Sequence, residues 1–504
     1  MKRVSRAAVL LVALCACIGA MASGAGAATT ATKVTGTPGA RDTSFGKGGK
    51  VTVGFPAEAA GSSGPQYTLP FEFTPGHLQM AQAPGGKIVV AGPSKIVRYT
   101  AAGKLDPTFG DGGVVTVPRP TGGIFVLRGV TVDSLGRVIL VGLTRPLPTN
   151  STPDPVLSLA TVMRFDADGK PDATFGTKGR LITDFGLGAP TAAGPEGKYY
   201  GASIGIRDVV VDSQNRIVLS GGYVTELGKC TSTVNSKGFI ARLTQSGALD
   251  SSFGVNGIRA LGTIASLGQL APTASGYVTT GTGGPLCTDA EGPAQLLTGF
   301  DGAGNLESRF ASFGFRTLKG IAPIAMSVTP SGKILLLGEG EHRTEYHRVT
   351  VMKEGKKVSK RVGKRIEFQV VERLLPSGAF DPGFSRIGSA KYVDPENGSF
   401  TDLTADSHER TYLVGNLGRR VSQAKHNHLL RRTFVLARLH PKGTYDRGFG
   451  DRGSVRTGFG GPSSASATQV EIDPQGRILV GGGVISPELP SGGGFAIVRY
   501  FAER

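Results

Sequence analysis

An arginine, an acid eight residues on and a phenylalanine three residues after that recur along this chain at fixed spacing. Complete copies are Arg98–Asp106–Phe109, Arg164–Asp172–Phe175, Arg242–Asp250–Phe253, Arg373–Asp381–Phe384 and Arg438–Asp446–Phe449. A degraded copy keeps Glu307 and Phe310 but has Gly299 where the arginine belongs. A seventh arginine, Arg499, lies five residues from the last residue, so its acid and phenylalanine have no room to follow. They stand at the other end of the chain, as Asp42 and Phe45, with no arginine before them. One repeat split between the termini is what a closed ring of repeats looks like when it is opened at a single point.

Each unit runs through the same series of segments. An alternating stretch such as Val130-Thr131-Val132 leads into a tight turn, for example Asp133-Ser134-Leu135-Gly136 or Asp473-Pro474-Gln475-Gly476. Asp caps such turns through its side chain, and Gly or Asn accepts the positive φ they require. A β-rich run follows and ends in glycine, from Gly92 in the first unit to Gly482 in the last, a mean spacing of 65 residues. After a variable gap comes a third strand (IVRY, VMRF, FVLARL), then a short turn, D-x-x-F-G and a fourth strand. Four strands per unit, seven units and no helical periodicity predict an all-β, seven-bladed β-propeller over residues 41–504. An open β-solenoid is the alternative, but 65 residues is long for its unit and it would need capping at both ends. The split repeat favours the ring, with the strand of Arg499 pairing with residues 49–55 and closing the last blade.

The pattern G-[KR]-I-x-V-x-G, then F-x-x-x-R-[YFL], then D-G-x-x-D-x-x-F-G resembles the bacterial delta-60 repeat family. The likeness spans about residues 41–504 and is weakest in the fourth unit, at Gly276 and Gly299. It implies a secreted or surface propeller with no single established activity, and it brings no catalytic residues with it.

At 504 residues a chain would ordinarily hold about three domains, but repeats that bury their apolar faces against each other override that count. Gly is abundant (77 residues) and Trp absent. Residues 1–27 read as a signal peptide: Lys2, Arg3 and Arg6, an apolar stretch from Ala7 to Ala20, and the small residues Ala25-Gly26-Ala27. Residues 28–40 would be a flexible linker. A variant stays open, because Leu14-Cys15-Ala16-Cys17 resembles a lipoprotein cleavage box that would leave Cys17 lipidated. Cleavage after Ala27 lowers the net charge from +18 to +15 and leaves two cysteines, Cys230 and Cys287. Both fall in loops of adjacent units on one face, so an oxidising compartment favours a disulfide over free thiols.

With strands A to D running outwards, A–B and C–D turns share one face, and B–C and D–A connections share the other. The first set is short and nearly invariant. The second is long and irregular, with D–A connections around 56–76, 184–204 and 386–398. Insertions confined to one face mark the binding face of a repeat protein. In unit five the B–C insertion alternates like a protruding hairpin turning near Glu354-Gly355-Lys356. It carries Arg343, Arg348, Lys353, Lys356, Lys357, Lys360, Arg361, Lys364 and Arg365 against five Glu, a net +4. The unit-six loop adds Arg419, Arg420, Lys425, Arg431 and Arg432 with no acid. Such a sector attracts an anionic polymer or an acidic surface protein, while the plainer reading is that the charges keep a long hairpin soluble and its edges unpaired.

His426 and His428 in the same loop could supply two metal ligands, but no Cys or Asp cluster completes a site, so no metal and no cofactor is expected. No G-x-S-x-G, phosphate loop or H-E-x-x-H is present. The reading is a monomeric, non-enzymatic binding propeller without a transmembrane segment. The alternative is a secreted hydrolase or lyase acting on an extracellular polymer, with its site at the channel mouth. The repeated Arg, Asp and Phe, spread around a ring, cannot converge on one site and read as structural.

Overall fold

The computed structural model describes residues 35–54, 78–121, 123–146, 158–187, 204–227, 234–262, 264–283, 294–340, 343–353, 356–366, 368–385, 388–392, 398–423, 427–489 and 492–503. Seven four-stranded antiparallel sheets follow one another along the chain, with one further two-stranded sheet. This is the seven-bladed propeller that the repeat count predicts. Its innermost strands A are Gln79–Ala83, Gly123–Val132, Ile204–Val211, Ile264–Pro272, Ile321–Val328, Ser399–Ala405 and Ser464–Ile472. Runs of valine, isoleucine and leucine open most of the B strands, as in Ile88-Val89-Val90, Val138-Ile139-Leu140-Val141 and Ile334-Leu335-Leu336-Leu337, as a pleated surface buried on both faces requires. The buried apolar residues fall into seven clusters, each shared by two neighbouring blades. No blade therefore has a core of its own, and the ring is the smallest unit that buries every face.

Blade 7 is closed by the N-terminal segment. Lys50–Gly54 pairs antiparallel with Gly493–Tyr500, Lys50 opposite Val498 and Gly54 opposite Gly494. The chain just before it is tied down as well. The Gly36 and Gly39 amides donate to the Glu503 and Phe501 carbonyls at 2.8 and 2.9 Å, and Phe501 N–H donates to Ala40 at 2.9 Å.

The repeated triad is the clasp between blades. In six blades the arginine Nε donates to the motif acid at 2.7–2.8 Å, and Arg499 reaches Asp42 across the termini. Each guanidinium lies 4.3–4.8 Å from the centroid of the motif phenylalanine. In five of the six it also donates to a carbonyl of the next blade: Ala167, Gln245, Gly302, Ala502 or Ala101. The phenylalanine tucks beneath the next blade's C–D turn, where glycine is obligatory. Gly169 (φ +87°) and Gly247 (φ +88°) are left-handed, and a Cβ on either would sit 3.0 and 2.9 Å from Phe109 and Phe175.

Blade 4 departs from this scheme. A side chain at Gly299 would strike the Phe310 ring at 2.5 Å, so the ring occupies the ground where a guanidinium would lie. A different pair joins blades 4 and 5. Arg316 Nη1 donates to Gly378 at 2.9 Å and stacks 4.1 Å over Phe380, and its charge acts on buried Glu372.

Candidate functional site

The two basic segments form hairpins on the B–C side of adjacent blades. In blade 5, Arg343–Lys353 pairs with Lys356–Ile366 as a sheet of its own, Lys353 opposite Lys356. Lys356, Lys357, Lys360, Arg361, Lys364 and Arg365 all lie on its second strand. In blade 6, strands B and C lengthen to Thr411–Gln423 and Asn427–Leu439. Arg419 and Arg420 lie on the first, and His428, Arg431 and Arg432 on the second. His426, Cys230, Cys287 and Cys17 fall outside the described residues, as do most of the three long D–A connections.

Register brings out what spacing alone did not. Arg348 stands directly opposite Arg361, and Arg419 directly opposite Arg431. Like charges at directly opposed positions destabilise a hairpin, yet both hairpins carry such a pair. In the blade 5 hairpin, Tyr346, Arg348, Thr350, Ser359 and Arg361 share one alternate set and are all exposed. The Arg361 guanidinium lies 4.1 Å over the ring of Tyr346, which is 57% exposed. Stacking holds the guanidinium by its face and leaves its in-plane N–H donors for an acceptor. Positions 357 and 365, Lys and Arg, belong to the same alternate set, which contains no acid.

A second group lines the central channel and left no repeat signature. Six of the seven A strands break register near mid-strand: at Arg128, Arg207, Gly268-Gln269, Ile324, Thr401 and Thr468. The residue after the break reaches to the next blade in three places. Asp208 accepts from the amides of Val209 and Leu270 at 2.8 Å, and Asp402 from Val470 at 2.8 Å. Gln469 brackets Met80, accepting its N–H at 2.5 Å and donating to its carbonyl at 3.3 Å. Glu471 accepts from Gln82 of blade 1.

Ringed by protein atoms yet partly open to solvent along the bore, these carboxyls lose hydration. That desolvation pushes Asp208 up to about 6 and Asp402 and Glu471 up to about 7, with backbone donors opposing it. Asp402 is raised further by the charges of Glu471 and of Asp208, three blades away across the channel. Among the described residues no group of three or more His, Cys, Asp or Glu side chains could hold a metal ion. Among them, too, no helix is long and apolar enough to cross a membrane.

These features define a repeat β-propeller with one plain face and one elaborated, cationic face. The family comparison agrees on the propeller alone: residues 84–109, in blade 1, match the model described as domain of unknown function (DUF5122), a beta-propeller. No curated protein matches the chain. Among solved structures, the polysaccharide lyase Uly1 aligns at 9% identity over 84% of this chain and 90% of its own, with a TM-score of 0.44. Sqt1 from Chaetomium thermophilum aligns at 10% identity over 86% and 98%, TM-score 0.34. The β-fructofuranosidase BmSUC1 of Bombyx mori, in a complex with sucrose, aligns at 10% identity over 84% and 89%, TM-score 0.27. Likenesses this distant carry no argument about activity.

Proposed function

We propose that this is a secreted or surface-attached, non-enzymatic propeller of the delta-60 repeat type that binds an anionic polymer through its elaborated face. The observation that carries the reading is the directly opposed, exposed Arg348–Arg361 pair, with Arg361 stacked on Tyr346, in a set of positions without an acid. A hairpin meant only to stay soluble gains nothing from two arginines set face to face, since alternating Glu and Lys would give the same solubility and add stability. Arginines set together are suited to carboxylate, sulfate or phosphate groups along a chain, and an exposed tyrosine adds a face for sugar or base rings. The opposed Arg419–Arg431 positions in blade 6 extend the same sector. The signal-like residues 1–27 would deliver the protein across a membrane, and residues 41–504 would then act as a single binding module.

The test replaces residues 343–366 by a Gly-Ser turn and follows binding to polygalacturonate over a salt series. Because that hairpin is a sheet of its own, the deletion is expected to leave the melting temperature within about 2 °C of the parent. It is expected to weaken polymer binding at least about tenfold at low salt and to flatten the dependence of log K on log salt. Equal affinity and slope in the two proteins would sink the reading. Release of shorter chains or unsaturated ends from the polymer would point instead to the hydrolase or lyase alternative.

A further inference from the structure

We propose that the mouth of the central channel, between blades 2 and 3, holds a site for a small oxyanion, a carboxylate or a phosphate group. The site is built by Arg128, Arg207 and Arg145, which lie on the far side of the ring from the basic hairpins of blades 5 and 6.

The geometry begins with the strand breaks. Between Leu127 and Gly129, and again between Ile206 and Asp208, one residue drops out of the ladder, and each time it is an arginine. A bulge re-aims the extra side chain away from the sheet, which for an innermost strand means towards the bore. In the other four interrupted strands the displaced residues are Ala, Gly, Gln, Ile or Thr, so only these two neighbours bring charge. The two breaks lie at one level, because a Cβ on Gly129 would meet Val209 at 3.2 Å and the Asp208 carboxylate at 3.7 Å. Arg145, opposite Ile124 near the end of strand B in blade 2, opens onto the elaborated face.

Among the described residues no acid pairs with this group. Arg128 is half-buried, and its Nε is wholly buried without a hydrogen-bond partner. Burial, then Arg207, then Arg145 all act against its charge, and no acid among the described residues acts for it. None of the three arginines has an ion pair among the described residues. Asp208, next to Arg207 in the chain, has its two oxygens taken by the amides of Val209 and Leu270. A buried donor left unmade is costly, and three cations without a counter-charge repel. One oxyanion removes both costs, and guanidinium forks match the planar carboxylate and the phosphate equally well.

The protein lacking residues 1–27 would be titrated calorimetrically at low salt with inorganic phosphate and, separately, with glucuronate. Saturable binding of at least one is expected, and the tighter of the two tells whether the site serves a phosphate or a sugar acid. The Arg128→Met/Arg207→Met double variant should bind at least about tenfold more weakly, whereas loss of the hairpin at 343–366 should change nothing. Without ligand, Arg128→Met should melt at or above the parent temperature, since an unpaired half-buried charge has been removed. Arg207 is exposed, so Arg207→Met alone keeps the test open should the double variant fail to fold. No saturable binding of either ion, or unchanged affinity in Arg207→Met, would overturn the site.

Discussion

At the scale of single residues the chain repeats one physical device and varies it where it must. The motif acid is held by opposing influences. Burial would raise Asp106, but hydrogen bonds from Lys87 and Thr108 and the charge of Arg98 hold it far below the usual carboxylate range. Asp250 is held down to about 2 in the same way, by Ser252 and Arg242 against burial. The pairs are buried, so taking away one partner strands the other. Arg164 is 1% exposed, and Arg164→Ala is expected to cost about 3–5 kcal/mol, read as a lower urea midpoint. A loss under about 1 kcal/mol would show that the clasp is replaceable. The ion pair itself was legible in the eight-residue spacing. The carbonyl of the next blade and the glycine above the phenylalanine ring were not, because both partners lie some 60 to 80 residues away. Nor was the Arg316–Glu372 substitute in blade 4, where the arginine has moved to strand D and the acid to the next blade.

At the scale of elements the strand of residues 50–54 decides whether the ring shuts. Without it, Gly493–Tyr500 becomes an open edge and Arg499 loses its only motif acid, Asp42. Unpaired edges invite pairing with other chains. A chain beginning at residue 55 is therefore expected to elute as higher oligomers and to lose its cooperative urea transition, and a monomer of unchanged midpoint would refute this. The pairing was legible because the missing half of a repeat stood at the other terminus. The bulges in strands A were not. A run such as Leu127-Arg128-Gly129-Val130 alternates almost as well with one residue slipped as without, and only the facing strand reveals the break. For the same reason the basic charges of the unit-five hairpin and the unit-six loop could be counted from sequence, while the opposition of Arg348 to Arg361 and of Arg419 to Arg431 waited for the register.

At the scale of the whole molecule, the channel carboxyls and Glu372, which lies on strand C of blade 5, give the fold an acid-leaning stability profile. Asp208, Asp402, Glu471 and Glu372 titrate near 6 to 7 when folded, against roughly 4 when unfolded. Between those values the folded state holds more protons, so this contribution is full below about pH 4 and is lost as pH rises through 6 to 7. The motif acids Asp42, Asp106, Asp172, Asp250 and Asp381 are shifted down and act the other way, losing their contribution as pH falls below about 4. Unfolding free energy should therefore peak near pH 4 and decline as pH rises to about 7. In Asp402→Asn that decline should shrink by roughly 1–3 kcal/mol, and an unchanged slope between pH 5 and 8 would contradict the assignment.

Seven units, four strands each and the closing strand were all determined by sequence alone. Those properties depend on local periodicity and on residues that recur at constant distance. The charged channel was decided by tertiary structure, because its members come from one position in each of several blades. Asp208, Asp402, Arg128 and Arg207 are unremarkable within their own strands. Asp208 and Asp402 feel each other's charge across the bore only because the ring that begins with a lone Asp42 and ends with a lone Arg499 closes on itself.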